Sequence, residues 1–247
     1  ADIVLVEASP QLRKAQADTL DDFEVRWVDG AADLPSDAPL WCVANEFFDA
    51  LPIRQFVRDA DGWRERCIGA QDGALSFGLA PAGEQPQLNH RLEDTQDGDV
   101  VETCAAAHAI LSELGHRING RGGVALIIDY GDWQSQGDTL QALAGHKVSD
   151  PLAAPGRTDL TAHVDFAAIS ASTTPVKHSR LTPQGVFLER LGITQRAQTL
   201  ANGLSGDALT AHIAAHRRLT HPGEMGQLFK VISIYPDGAT PPPGTAA

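Results

Sequence analysis

The sequence predicts an α/β fold, a doubly wound and largely parallel sheet with crossover helices, interrupted by an antiparallel hairpin insertion. Two observations carry this. Three short apolar runs within about fifty residues each lead into a capping residue or a turn and then helical spacing, the pattern of strand-to-helix units. From Ile53 to Leu79 the texture changes to alternating runs punctuated by Asp61-Gly62 and Asp72-Gly73, both hairpin signals.

The first unit opens on Ile3-Val4-Leu5-Val6, which stops at Glu7 and meets Ser9-Pro10, a cap and a first-turn residue. Leu12, Ala15 and Leu20 then recur at helical spacing, and a second strand, Phe23 to Val28, ends at Asp29-Gly30. Leu40 to Ala44 is a third strand, and Asn45 is expected to cap a short helix that Pro52 ends. Residues 81–98 are polar and rich in turn formers, so residues 53–98 are expected to be a hairpin insertion and an exposed connection. Ala107, Leu111, Leu114 and Ile118 form one helical stripe ending near Asn119-Gly120, and Val124 to Ile128 is the next strand, before Asp129-Tyr130-Gly131. The segment from there to Phe166 has weak periodicity, and its length with its His, Asp and Thr content points to function.

Farther on, a strand over Val176 to Leu181 leads into Thr182-Pro183, which reads as cap plus first turn of a helix burying Phe187, Leu188 and Leu191 and ending at Gly192. Helices over Ile193–Ala201 and Ser205–Leu219 and a last strand, Leu228 to Tyr235, complete one domain over residues 1–235. Residues 236–247, with Pro241-Pro242-Pro243, are expected to be a flexible tail.

At 247 residues one core buries roughly 70% of the unfolded surface, so stability needs neither disulfides nor a structural metal. With 19 Lys+Arg against 32 Asp+Glu, a net charge of −13, counterion release offers little, which disfavours nucleic acid and anionic membranes as partners. Cys42, Cys67 and Cys104 are scattered, with no CxxC spacing, which points to a reducing compartment and no zinc site. His212 and His216 stand at i, i+4 without a third ligand, and no metal is expected.

An acidic residue after the second strand of a doubly wound sheet accepts from both ribose hydroxyls of a nucleoside, and Glu7 stands in that position; equally, Glu7 complements the helix N-terminus that follows. No strand is followed by a Gly-rich phosphate-type turn, since Gly120, Gly122 and Gly123 precede a strand. Glu46 and Asp49, at i, i+3, are expected on one helical face, able to clamp a guanidinium or simply to complement the helix dipole. Asp129 is a further candidate of the same kind.

The segments NEFFDALP (45–52), DYG (129–131), HKVSDPLAAPG (146–156), DLTAHVDF (159–166), QGVFLERLGI (184–193) and Met225-Gly226 together resemble the MidA family, that of the mitochondrial complex I assembly factor described as a protein arginine methyltransferase. The resemblance runs in order from Val4 to about Tyr235. It implies a class I S-adenosylmethionine-dependent methyltransferase, a Rossmann-like sheet with an antiparallel last strand, here beginning at the family's second strand with the first strand missing. It therefore implies that further polypeptide, or another chain, covers the open edge of Ile3–Val6.

Carried over, Glu7 would bind the ribose, Asp29 would line the adenine side, and Asn45, Glu46 and Asp49 would lie at the methyl donor, with Glu46 first and Asp49 second as the carboxylates that act on the acceptor. Asp129, Tyr130, His146, Asp159, Thr161, His163 and Asp165 would line the protein-substrate cleft. The cofactor implied is S-adenosyl-L-methionine and the partner a protein substrate, in the family the 49 kDa-type subunit of respiratory complex I. The oligomeric state is open, a homodimer included. The compartment implied is the bacterial cytoplasm, or the mitochondrial matrix for a eukaryotic chain. Two rival readings are a non-catalytic assembly protein on the same sheet and, against the motifs, a nicotinamide-dependent oxidoreductase.

Overall fold

The computed structural model describes residues 2–60, 62–145 and 147–246. The chain begins with β1 (Ile3–Val6), α1 (Pro10–Thr19), β2 (Val25–Val28) and β3 (Leu40–Asn45), followed by β4 (Arg54–Asp59), β5 (Gly62–Gln71), β6 (Ala74–Leu79) and β7 (Val100–Thr103). Next come α2 (Ala105–Arg121), β8 (Gly123–Asp132), β9 (Gln141–Ala144), β10 (Lys147–Ser149), β11 (Asp159–Thr161), β12 (Val164–Asp165) and α3 (Phe166–Ala171). The chain closes with β13 (Lys177–His178), β14 (Thr182–Pro183), α4 (Gln184–Arg190), α5 (Ile193–Ala201), α6 (Gly206–Thr220), α7 (Met225–Leu228) and β15 (Phe229–Tyr235).

The Ser9 hydroxyl accepts the Leu12 N–H at 3.3 Å and Pro10 takes the first turn, so α1 starts where its cap dictates. β1 and β2 pair in parallel, Ile3 opposite Val25 through Val6 opposite Val28. β8 is the centre of the main sheet: β3 runs parallel to it, Leu40 opposite Gly123 through Asn45 opposite Ile128, and β15 lies antiparallel on its other edge. β13 and β14 add to the far edge of β15. Among the described residues β1 pairs only with β2 and β3 only with β8, and the strand expected to cover Ile3–Val6 is not among them. On β3, Trp41 and Val43 are exposed, whereas Leu40, Cys42 and Ala44 face the core.

α2 packs its predicted stripe against the sheet, and Leu111, Ile118, Ile127, Ile232 and Ile234 are fully buried with Phe166. Each such aliphatic side chain contributes about 2 kcal/mol of transfer free energy. The insertion is an antiparallel sheet, β6-β5-β4-β7, over its own core of Phe56, Trp63, Leu88 and Val101. Asp72 and Gly73 both take positive φ, 52° and 79°, the backbone a tight hairpin turn requires. Asp61 lies outside the described residues. Because β7 pairs with β4, the insertion runs past residue 98, and the connection buries Leu88 and Arg91.

Elsewhere the structure departs from the sequence reading. Residues 46–52 form no helix, because the amides of Phe48 and Asp49 are taken by a distant carboxylate described below. The stretch 133–163 is not one loop: β9, β10 and β11 form a small antiparallel sheet. Of the strand expected over 176–181 only β13 forms; Thr182, beyond it in β14, pairs with Val231 instead of capping, and Leu191 is exposed. The tail is docked: the Arg180 N–H donates to Ala246 O at 2.8 Å, and Thr245 Oγ1 lies 3.1 Å from Ser233 Oγ.

At the end of β8, Gly131 lies so close to β12 that a Cβ there would sit 2.1 Å from the Val164 carbonyl oxygen. Gly131→Ala should therefore break this pairing and cost about 3 kcal/mol or more in denaturant unfolding, whereas Gly78→Ala, with open space around it, should stay within about 0.5 kcal/mol of the parent.

Candidate functional site

The site is built where β3 ends alongside the last residues of β8. β3 finishes at Asn45, and the Glu46 N–H continues the ladder by donating to Ile128 O at 3.0 Å. Glu46 then takes φ 50°, a left-handed conformation that costs a residue with a Cβ about 1 kcal/mol and turns the chain back over the end of β8. Asn45 and Glu46 are exposed, and Asn45 Nδ2 donates to Glu46 Oε1 at 3.3 Å.

Two residues later the chain dives inward. Asp129, fully buried at the end of β8, accepts the Phe48 and Asp49 N–H groups on Oδ2 at 3.1 and 3.2 Å and the Tyr130 N–H on Oδ1 at 3.0 Å. This grip replaces the expected helix, so Glu46 and Asp49 do not share a helical face: Glu46 stays outside and Asp49 is buried. The Tyr130 hydroxyl donates to Asp49 Oδ2 at 2.7 Å, while Asp49 Oδ1 is buried with no partner. Burial first, and the Asp49 charge second, push the Asp129 carboxyl up to about 7. Burial likewise pushes the Tyr130 phenol upward.

Of the other expected cleft residues, Thr161 is packed next to the Tyr130 phenol and the His163 ring meets Tyr130 edge-on at 5.4 Å. Asp159 is exposed on β11. Asp165 is spent on the backbone, capping α3 through the Ala168 N–H and holding the Ser135 N–H. His146 lies outside the described residues. Glu7 ends β1 with Oε1 on the Ser9 N–H at 2.8 Å and Oε2 at 3.3 Å from Gln16 Nε2, the helix-complementing role that the sequence left open. Asp29 ends β2, largely exposed and paired with Arg13. His212 and His216 contact α5, and no group able to hold a metal occurs among the described residues.

Beside the cluster is a mostly apolar cavity of about 730 Å³, walled by Phe48, Ile53, Leu88, Val101, Cys104 and His163. Burial pushes the Cys104 thiol up.

A family model of S-adenosyl-L-methionine-dependent methyltransferases matches residues 1–184. The chain belongs to this family. It is 35% identical over 241 residues to the mitochondrial protein arginine methyltransferase NDUFAF7 of Xenopus tropicalis, covering 95% of this chain and 55% of that protein. With the human protein of the same name it shares 32% identity over 223 residues, 86% of this chain and 48% of that one. A crystal structure of a Burkholderia thailandensis protein bound to S-adenosyl-homocysteine superposes with a TM-score of 0.80 at 31% identity, covering 96% of this chain and 65% of that one. The chain thus spans about half the length of these curated relatives.

The sheet is that of a class I methyltransferase of this family, with β15 as its antiparallel last strand. Two features of this methyltransferase fold escaped the sequence reading. Lys230, buried in an otherwise apolar strand, donates to Gly131 O at 3.1 Å and Gln227 O at 2.8 Å and so fixes the end of β8; a lone lysine within Phe229–Tyr235 was the available signal. A chain of contacts from the insertion, Gln55 to Glu102 to Thr139 to the His163 N–H, braces the ring against Tyr130 and has no sequence signature.

A raised carboxyl binds a proton in the folded state that the unfolded chain has lost, so the stability Asp129 contributes is present at low pH and is lost as pH rises from about 4 through about 7. Carboxyl-detected NMR should show Asp129 titrating near 7, and Asp49→Asn should lower that midpoint by removing the neighbouring charge.

Proposed function

We propose that the protein transfers the methyl group of S-adenosylmethionine to an arginine guanidinium of a protein substrate. The observation that carries this reading is Asp49 Oδ1, a buried acceptor without a donor in a family whose relatives are named arginine methyltransferases. A buried unpaired carboxylate oxygen is costly, and a guanidinium N–H satisfies it with a charge-assisted bond. In this reading Glu46, exposed three residues before Asp49 and left-handed at φ 50°, orients the attacking nitrogen and takes the proton it sheds.

The residues at the strand ends fit a nucleoside. Asp29 and Asn45 are exposed polar groups, and the Glu7 Oε2 contact with Gln16, at 3.3 Å, is long enough to yield to ribose hydroxyls. In this reading Glu7 holds the ribose, Asp29 the adenine side and Asn45 the region of the methyl group. Bound there, S-adenosylmethionine supplies an electrophilic methyl on a sulfonium. With the cofactor held there, Asp49 would orient the guanidinium nitrogen in line with that methyl, and Glu46 would take the surplus N–H proton of the methylated nitrogen. Orientation by Asp49 and Glu46 is the chain's main contribution.

The acceptor suggested by the resemblance is the 49 kDa-type subunit of complex I, and the compartment the bacterial cytoplasm or the mitochondrial matrix. A net charge of −13 favours encounter with a basic protein segment.

Transfer from labelled S-adenosylmethionine, located by mass spectrometry, should fall about 100-fold in Glu46→Gln and in Asp49→Asn with cofactor binding retained. Normal transfer in Glu46→Gln would refute the carboxylate clamp. Cofactor binding with no arginine methylated by the parent protein would favour the non-catalytic assembly reading. Glu46→Gly should raise thermal stability by about 1 kcal/mol while lowering transfer, because it relieves the left-handed strain and removes the carboxylate.

A further inference from the structure

We infer that Asp129 and Tyr130 are positioning residues acting through Asp49: they hold the 46–49 turn in its acceptor-binding form and touch neither acceptor nor cofactor. This rests on the function proposed above, and it replaces the sequence expectation that both residues line the substrate cleft.

Geometry carries the inference. Asp129 is fully buried, and both of its oxygens are committed to backbone: Oδ1 to the Tyr130 N–H, Oδ2 to the consecutive N–H groups of Phe48 and Asp49. Two successive amides aimed at one oxygen fix the backbone direction of the turn. The carboxylate doing so lies 80 residues away in sequence, so nothing local substitutes for it. Tyr130 acts on the side chain instead. Its ring is held edge-on by His163 and Phe229, each at 5.4 Å, and its hydroxyl ties down Asp49 Oδ2 at 2.7 Å. With one oxygen tied, the other is held buried and unpartnered, its direction set. Backbone and side chain of Asp49 are therefore fixed separately, by adjacent residues of β8.

The test is Asp129→Asn, in which the amide nitrogen must face at least one backbone N–H whichever way it is turned, because both oxygens of the parent accept. In the ligand-free variant the Phe48 and Asp49 amide hydrogens should exchange about tenfold faster, as expected for a loosened local segment. The KM for the arginine acceptor should rise about tenfold while the S-adenosylmethionine Kd stays within about twofold. Tyr130→Phe should leave the two amides protected and lower kcat about tenfold by freeing the Asp49 side chain.

Unchanged amide exchange in Asp129→Asn would overturn the positioning role, as would full kcat in Tyr130→Phe. If Asp129→Asn fails to fold by near-ultraviolet circular dichroism, the Tyr130→Phe result decides. If the parent protein methylates no arginine, the proposed function fails on its own, and the exchange comparison still decides whether Asp129 holds the turn.

Discussion

The site depends on a carboxylate taken out of water at the end of the central strand. Isolated burial of such a charge is prohibitive, and Asp129 is tolerated because three backbone N–H groups converge on it. That requirement works in both directions. The amides stabilise the carboxylate, and the carboxylate dictates the path of residues 46–49. The parallel register of β3 and β8, with Asn45 opposite Ile128, delivers the turn to the right height. Lys230 and the close approach of Gly131 to Val164 hold the end of β8 from the other sides.

The insertion braces this arrangement from outside. Arg66 pairs with Asp138, which accepts from Gln55; Gln55 also donates to buried Glu102, and Glu102 holds Thr139, whose hydroxyl accepts the His163 N–H at 2.8 Å. His163 is one of the two rings that confine Tyr130. The antiparallel sheet is thereby coupled to the side chain that bonds Asp49, through polar groups, Gln55 and Glu102 buried among them, that have partners at each step. Their worth lies in specifying one arrangement more than in net stability.

Much of this fold could be read from residues alone, because local chemistry and tertiary structure agree there. Ser9-Pro10 starts α1, Asp72-Gly73 closes a hairpin, and the Ala107–Ile118 stripe is the buried face of α2. The reading failed where a long-range contact overrides local preference. Asn45 to Pro52 has the composition of a capped helix, yet its Phe48 and Asp49 amides go to Asp129, a partner that no local window contains. The same cause explains the tail, whose prolines hide its docking on Arg180 and Ser233. Glu46, Asp49, Asp129 and Tyr130 were candidates from the sequence, but the division between exposed Glu46 and buried Asp49 required the fold.

The most direct measurement is a crystal structure of the protein with S-adenosyl-homocysteine and an arginine-containing acceptor peptide. The account predicts a guanidinium nitrogen about 3 Å from Asp49 Oδ1, with Asp129 still on the Phe48 and Asp49 amides. A guanidinium seated elsewhere, with Asp49 Oδ1 bonded only to water, would contradict it.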